Sequence, residues 1–219
     1  MGRTAWQEPD RTFIDTILVP AWRQMLDQDL QLLRLAYDLS KYAHSLDTPP
    51  RKSTGEPYYM HPMEVARILL EEVPFMDEQL IFIAFLHDVL EDTGLLSVHH
   101  LHLVFGRDVA QAVKVLSKND FEEQVRQQFI TREEADSLYF GRIAMADTWR
   151  ATVVKLADRL HNLRTTDGLR ASSKRRLVAT TEQHVLPLVR VAVKQAPKLK
   201  RPRVRQLGKL LEQELSELR

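Results

Sequence analysis

Apolar residues recur along this chain at intervals of three and four rather than two, a spacing that predicts helices through most of its length. Over residues 21–45, Leu26, Leu30, Leu33 and Tyr37 form one stripe, and the pattern stops before the breaker Thr48-Pro49-Pro50. Pro62 suits the first turn of a helix over 62–71, where its missing N–H is no loss. The next helix, expected over 77–94, is apolar nearly all round in its middle, so it should run through the centre of the domain. Ser97 is placed to cap a short helix to residue 105, and Gly106-Arg107-Asp108 breaks the pattern before a helix over 109–116. Residues 117–130 read as a polar loop with some helical content. Thr131-Arg132-Glu133-Glu134 is a capping box that opens a helix over 131–146, and further helices are expected over 148–165 and 173–194. Leu207, Leu211, Leu215 and Leu218 return at helical spacing in the last turns. With only seven glycines and almost no β-branched alternation, the fold class is all-α.

Composition narrows the organisation. At 219 residues and 44% hydrophobic, the chain can bury one sizeable core, so one domain is expected over 21–193. Residues 1–20 are expected as an N-terminal extension. Between Lys194 and Lys209 stand seven basic residues, no acidic ones and two prolines, so 194–219 is expected as a basic linker followed by an amphipathic helix. Overall, 31 Lys and Arg balance 30 Asp and Glu, which gives no field that would make nucleic acid or a membrane the main partner. The start lacks the layout of a signal peptide, and the longest apolar run, Leu80 to Leu86, is far too short to span a bilayer. A cytoplasmic protein is expected. Absence of cysteine removes disulfides, thiolate nucleophiles and thiolate metal sites, so any metal must sit on His and carboxylates.

Such residues occur as His61, His87-Asp88 and Asp158, with Glu91-Asp92 one turn past the second. A His-Asp pair ending a buried apolar helix puts an imidazole and a carboxylate at the edge of the core, within reach of one ion. Two imidazoles and two carboxylates leave open positions on a six-coordinate divalent cation, which suits Mn²⁺, Fe²⁺ or Zn²⁺ better than an all-oxygen Ca²⁺ or Mg²⁺ cage. A solvated helix end around a core histidine is the plainer reading of the dipeptide alone. Against it, Glu91 and Asp92 crowd negative charge near a helix C-terminus, where the macrodipole favours cations.

Three ordered blocks extend this constellation: Thr54-GEPYYMHPMEVARILL-Glu71, HDVLEDT from His87 to Thr93, and VVKLADRLHNLRTT from Val153 to Thr166. Together they resemble the hydrolase domain of the RelA/SpoT family and its single-domain relatives, the small alarmone hydrolases, over roughly residues 30 to 190. The resemblance implies an HD-domain helical bundle of about 8–10 helices that hydrolyses the 3′-pyrophosphate of (p)ppGpp-like nucleotides. It implies one Mn²⁺ on His61, His87, Asp88 and Asp158, with Glu91 and Asp92 as the catalytic acidic pair. It also implies nucleotide contacts from Asn162 and Thr165, which share a helical face with Asp158, and from the basic pair Arg51 and Lys52. The loop before Gly55 is one residue longer than the family form, so the roles of Arg51 and Lys52 are not separable and the purine stays open. These 219 residues leave no room for the family's synthetase domain, so synthesis of the alarmone is not expected of them. Other readings are an HD phosphohydrolase of (p)ppApp or NADPH, and a non-enzymatic module that senses a nucleotide. The sequence leaves open a homo-oligomer and an antitoxin role towards a cognate alarmone synthetase.

Overall fold

The computed structural model describes residues 11–23, 25–45, 49–92, 94 and 96–219, with only the backbone of Asp92. Among them the chain begins with α1 (Arg11–Phe13), a π-helical turn (Ile14–Leu18) and α2 (Val19–Trp22), followed by α3 (Asp27–Ala43). Helix α4 (Met60–Arg67) runs into a second π-helical turn (Ile68–Glu72), and then come α5 (Glu78–Leu86) and α6 (Val89–Asp92). Four more helices follow: α7 (Val98–Phe105), α8 (Arg107–Leu116), α9 (Asn119–Arg126) and α10 (Arg132–Met145). The fold closes with α11 (Trp149–Arg164), α12 (Ala171–Thr180), a third π-helical turn (Thr181–Val185), α13 (Leu186–Gln195) and α14 (Arg201–Glu217). All regular elements among the described residues are helical, as the apolar spacing implied, but they are more numerous and shorter than the eight to ten expected.

The core forms around two helices. Every side chain of α5 from Leu80 to Leu86 is buried, and α11 is buried along nearly its whole length. Helices α3, α4, α8, α13 and α14 pack around this pair. Both N-terminal caps read from sequence form: the Ser97 and Thr131 hydroxyls accept from the N–H groups of His100 and Glu134, and Asp77 caps α5 by accepting from Leu80 N–H.

Four expectations change. The stretch expected to be an extension over 1–20 belongs to the core from residue 11 on, because Phe13, Ile17 and Ala21 recur every fourth residue and are fully buried. Phe13 stacks on Tyr37 with centroids 4.0 Å apart and meets Phe85 edge-on. The single helix expected over 21–45 is instead broken ahead of α3, where Leu26 is extended at φ −75° and ψ 157°. The helix expected over 77–94 stops at Leu86; a tighter turn at His87 and Asp88, with Glu91 N–H on Asp88 O at 2.9 Å, separates it from α6. Finally, the basic segment is no linker. Pro202 lies in the first turn of α14, where proline is tolerated, and Val204, Leu207, Leu211 and Leu215 are buried against α11 and α13. Its first cations need no acids: Lys200 Nζ donates to Phe75 O and, at 2.8 Å, to Met76 O, while Arg201 Nε donates to Ala196 O at 3.1 Å.

Candidate active site

The break between α5 and α6 faces the middle of α11, with α4 on one side. His61, on the first turn of α4, and His87 at the end of α5 are both buried, and Asp88 is partly so. Ligand atoms of these three residues lie within 4.8 Å of one another. From α11, Asp158 Oδ1 stands 3.0 Å from His61 Nε2 and 4.0 Å from His87 Nε2. The four residues singled out as ligands from the sequence are therefore brought together from three separate parts of the fold.

Neighbouring groups orient each of them. The His87 Nδ1 atom lies 2.7 Å from Ala84 O, the geometry of an N–H donating to the helix carbonyl, which leaves Nε2 directed into the cluster. That Nε2 makes no hydrogen bond although it is buried, and Asp88 Oδ2 lies 3.2 Å away. Tyr58 donates its hydroxyl to Asp88 Oδ2 at 3.0 Å. Lys155 Nζ donates to Asp158 Oδ2 at 2.6 Å, and Asn162 Nδ2 donates to Oδ1 at 2.7 Å. Burial would raise the Asp158 carboxyl, but the Lys155 charge and the His61 contact hold it well below the usual carboxylate range. Burial likewise disfavours the imidazolium of His87, yet the adjacent Asp88 and Asp158 charges carry its pKa up to about 9.

Glu91 differs from the other carboxylates. Burial, and after it the negative charge of Asp88, push its pKa up to about 7, while the Lys118 N–H donates to its Oε1 at 2.6 Å. Such a carboxyl can both give and take a proton near neutrality. The side chain of Asp92, its expected partner, lies outside the described residues.

Of the expected nucleotide contacts, Arg51 and Asn162 meet: Arg51 NH2 donates to Asn162 Oδ1 at 2.7 Å, so one amide links the guanidinium to Asp158. Lys52 is exposed on the same turn. Thr165 departs from the helical-face expectation, because α11 ends at Arg164. Thr165 adopts φ −119° and ψ 57°, and its hydroxyl donates to His161 O at 2.9 Å.

Three further residues stand in the site without having been singled out by the sequence. His161 Nδ1 lies 2.7 Å from His61 Nδ1 and 3.2 Å from Arg51 NH1. Burial, then the charges of His61 and Arg51, press its pKa down to about 3, so a neutral ring faces His61. Its position three residues after Asp158 on one helix was the available signal. Tyr58 lies three residues before His61, which was a weaker hint. The Lys118 backbone is 27 residues from Glu91 in the chain, and nothing local marks it.

Residues 36–187 match the family model described as an HD domain. The chain belongs to the HD domain family. Among curated relatives of this HD domain, the bifunctional (p)ppGpp synthase/hydrolase SpoT of Escherichia coli is 36% identical over 164 residues, 74% of this chain and 22% of its own. A guanosine-3′,5′-bis(diphosphate) 3′-pyrophosphohydrolase of Vibrio cholerae is 35% identical over 176 residues, 80% of this chain and 23% of its own. The chain thus spans about a fifth of the length of the curated relatives it matches. A solved structure of a metazoan ortholog of SpoT, described as hydrolysing ppGpp, shares the fold with a TM-score of 0.60 at 24% identity, covering 89% of this chain and 94% of that one. No helix among the described residues is long and apolar enough to cross a membrane.

Proposed function

We propose that this HD domain hydrolyses the 3′-pyrophosphate of (p)ppGpp-like alarmones, with one Mn²⁺ held by His61, His87, Asp88 and Asp158. The observation that carries this reading is the buried His87 Nε2, directed at two carboxylates yet making no hydrogen bond. A buried polar atom that makes no hydrogen bond is costly, and a cation shared with Asp88, Asp158 and His61 would relieve it. The donor set of two imidazoles and two carboxylates suits a first-row divalent cation with open positions. The substrate class is supported by the activities for which the SpoT and pyrophosphohydrolase relatives are named.

Held by His61, His87, Asp88 and Asp158, a divalent cation would supply Lewis-acid polarisation of a phosphoryl oxygen and would make water more acidic there. Glu91, held by the Lys118 N–H, orients the attacking water and takes its proton. With Asp92 as the second member of the acidic pair, one carboxyl can return a proton to the departing 3′-oxygen. Neutral His161 fixes the ring of His61 through the paired Nδ1 atoms, so Nε2 stays towards Asp158. Arg51 and Lys52 stand at the nucleotide end, Arg51 oriented by Asn162, where a guanidinium can stack on a purine. Pyrophosphate and GDP or GTP would be the products.

The test is to incubate the protein with ppGpp, pppGpp, ppApp and NADPH, with Mn²⁺ or with a chelator, and resolve the products by ion exchange. Pyrophosphate release from ppGpp and pppGpp that the chelator abolishes is expected. Preference for ppApp would move the purine assignment, phosphate release from NADPH alone would move the substrate class, and no release from any of them would overturn the reading.

A further inference from the structure

The turn that carries Arg51 and Lys52 is closed locally but placed from elsewhere. Arg51 N–H donates to Glu56 O at 2.9 Å, and Gly55 N–H to Arg51 O at 2.7 Å. Gly55 has φ +76°, the left-handed region that favours glycine. The seat of the turn is the exit of α11. Thr166 to Leu169 form a tight turn there, with Leu169 N–H on Thr166 O at 2.9 Å, and the N–H of Gly168 donates to Ser53 O at 2.9 Å. A methyl group at Gly168 would lie 2.5 Å from Ser53 O and 2.7 Å from Lys52 O. Those are backbone atoms and cannot rotate aside as a side-chain end would, so the whole turn must move. The same α11 carries Asn162, which accepts from Arg51 at 2.7 Å, so turn and helix are joined at two points.

We infer that Gly168 is a positioning residue for nucleotide recognition: it lets the 51–56 turn seat directly on the exit of α11, and so sets where Arg51 and Lys52 stand relative to Asn162. The inference rests on the alarmone-hydrolase reading. The metal ligands lie on α4, on the α5–α6 break and in the body of α11, none of them on the seat itself. A side chain at 168 should therefore separate the two halves of the site. Displacing a substrate-positioning group by on the order of 1 Å costs up to about 100-fold.

The experiment compares wild type, Gly168→Ala, Gly55→Ala, Arg51→Ala and the Gly168→Ala/Arg51→Ala double variant. It measures kcat and KM for ppGpp, the Mn²⁺ concentration giving half-maximal rate, and Tm. Gly168→Ala should raise KM about tenfold with kcat within about twofold and the Mn²⁺ requirement unmoved. In the Arg51→Ala background it should add less than about twofold, because the group it positions is already gone. An unchanged KM, or an equal further loss without Arg51, overturns the inference; so does a parallel fall in kcat, Mn²⁺ affinity and Tm, which marks mere packing. If Gly168→Ala does not fold, Gly55→Ala perturbs the exposed turn without touching α11, and a wild-type KM there overturns the inference equally. A wild type that turns over no nucleotide defeats the hydrolase reading instead, and the ppGpp Kd of metal-free wild type and Gly168→Ala, expected to differ about tenfold, still decides the role of the seat.

Discussion

Helix α11 carries two ionic constellations that differ in one respect. At its end, Arg164 donates Nε to Glu214 Oε1 at 2.7 Å and its two terminal nitrogens to Glu72 at 2.8 and 2.7 Å, tying α11 to α14 and to the π-helical turn after α4. Each guanidinium nitrogen has a carboxylate, and the group is closed. Two turns earlier, Asp158 accepts from Lys155 and Asn162 and touches His61, but beside it His87 Nε2 makes no hydrogen bond and Glu91 is pushed towards protonation by burial and then by the charge of Asp88. That group is open. A closed ion pair serves folding and asks for nothing more, whereas an open one keeps unspent electrostatic demand that a cation and a substrate can meet.

The contrast should be sharpest when Asp158 is removed. Asp158→Ala takes away a proposed ligand and should cut turnover by on the order of 1000-fold or more, with Mn²⁺ binding by calorimetry lost in parallel. It also strands the buried Lys155 ammonium, so urea unfolding should show a loss of about 3–5 kcal/mol. Retained metal binding would break the assignment of the open group.

Glu91→Gln should separate function from stability. The rate should fall by about 100-fold or more while Mn²⁺ affinity holds. The folded-state pKa of Glu91 is raised, so its protonated form is favoured by folding and its charged form opposes it; stability is lost as pH climbs from the ordinary Glu value through about 7. The amide variant should therefore be more stable than metal-free wild type by about 2 kcal/mol at pH 8, with the gap closing towards pH 4. A variant less stable at pH 8 would mean that Glu91 is a structural group.

The smallest effect belongs to the closed group. Arg164→Ala should cost about 1–2 kcal/mol in urea unfolding, since the clamp is partly exposed, with kcat and Mn²⁺ affinity little changed. Hydrogen bonds from Arg164 lower the Glu72 pKa, so the clamp contributes fully above the ordinary Glu value and its contribution is lost as pH falls through the depressed one. The difference between variant and wild type should then narrow in acid. A large loss of turnover would show that the end of α11 is coupled to the chemistry.

How much of this was legible in the sequence varied with the range of the contact. Helices α4, α7, α10 and α11 follow from caps and apolar spacing, and His61, His87, Asp88 and Asp158 from ligand chemistry in ordered blocks. The buried stripe Phe13, Ile17, Ala21 had the same spacing, but Phe13 and Ile17 lay before the residue where a helix was expected to start. Thr165 was placed on a helical face by extending a period one residue past the helix end.

The sequence by itself determined the all-helical class, the central α5 and which side chains are candidates to hold a cation, because 3.6-residue periodicity, capping and residue chemistry are properties of neighbours in the chain. Tertiary structure alone decided that the helix breaks at His87, that the basic C-terminal segment docks as α14, that His161 backs His61 from 100 residues away, and that Gly168 seats the Arg51 turn. Those are contacts between helices, and their positions depend on how whole faces pack rather than on any local pattern.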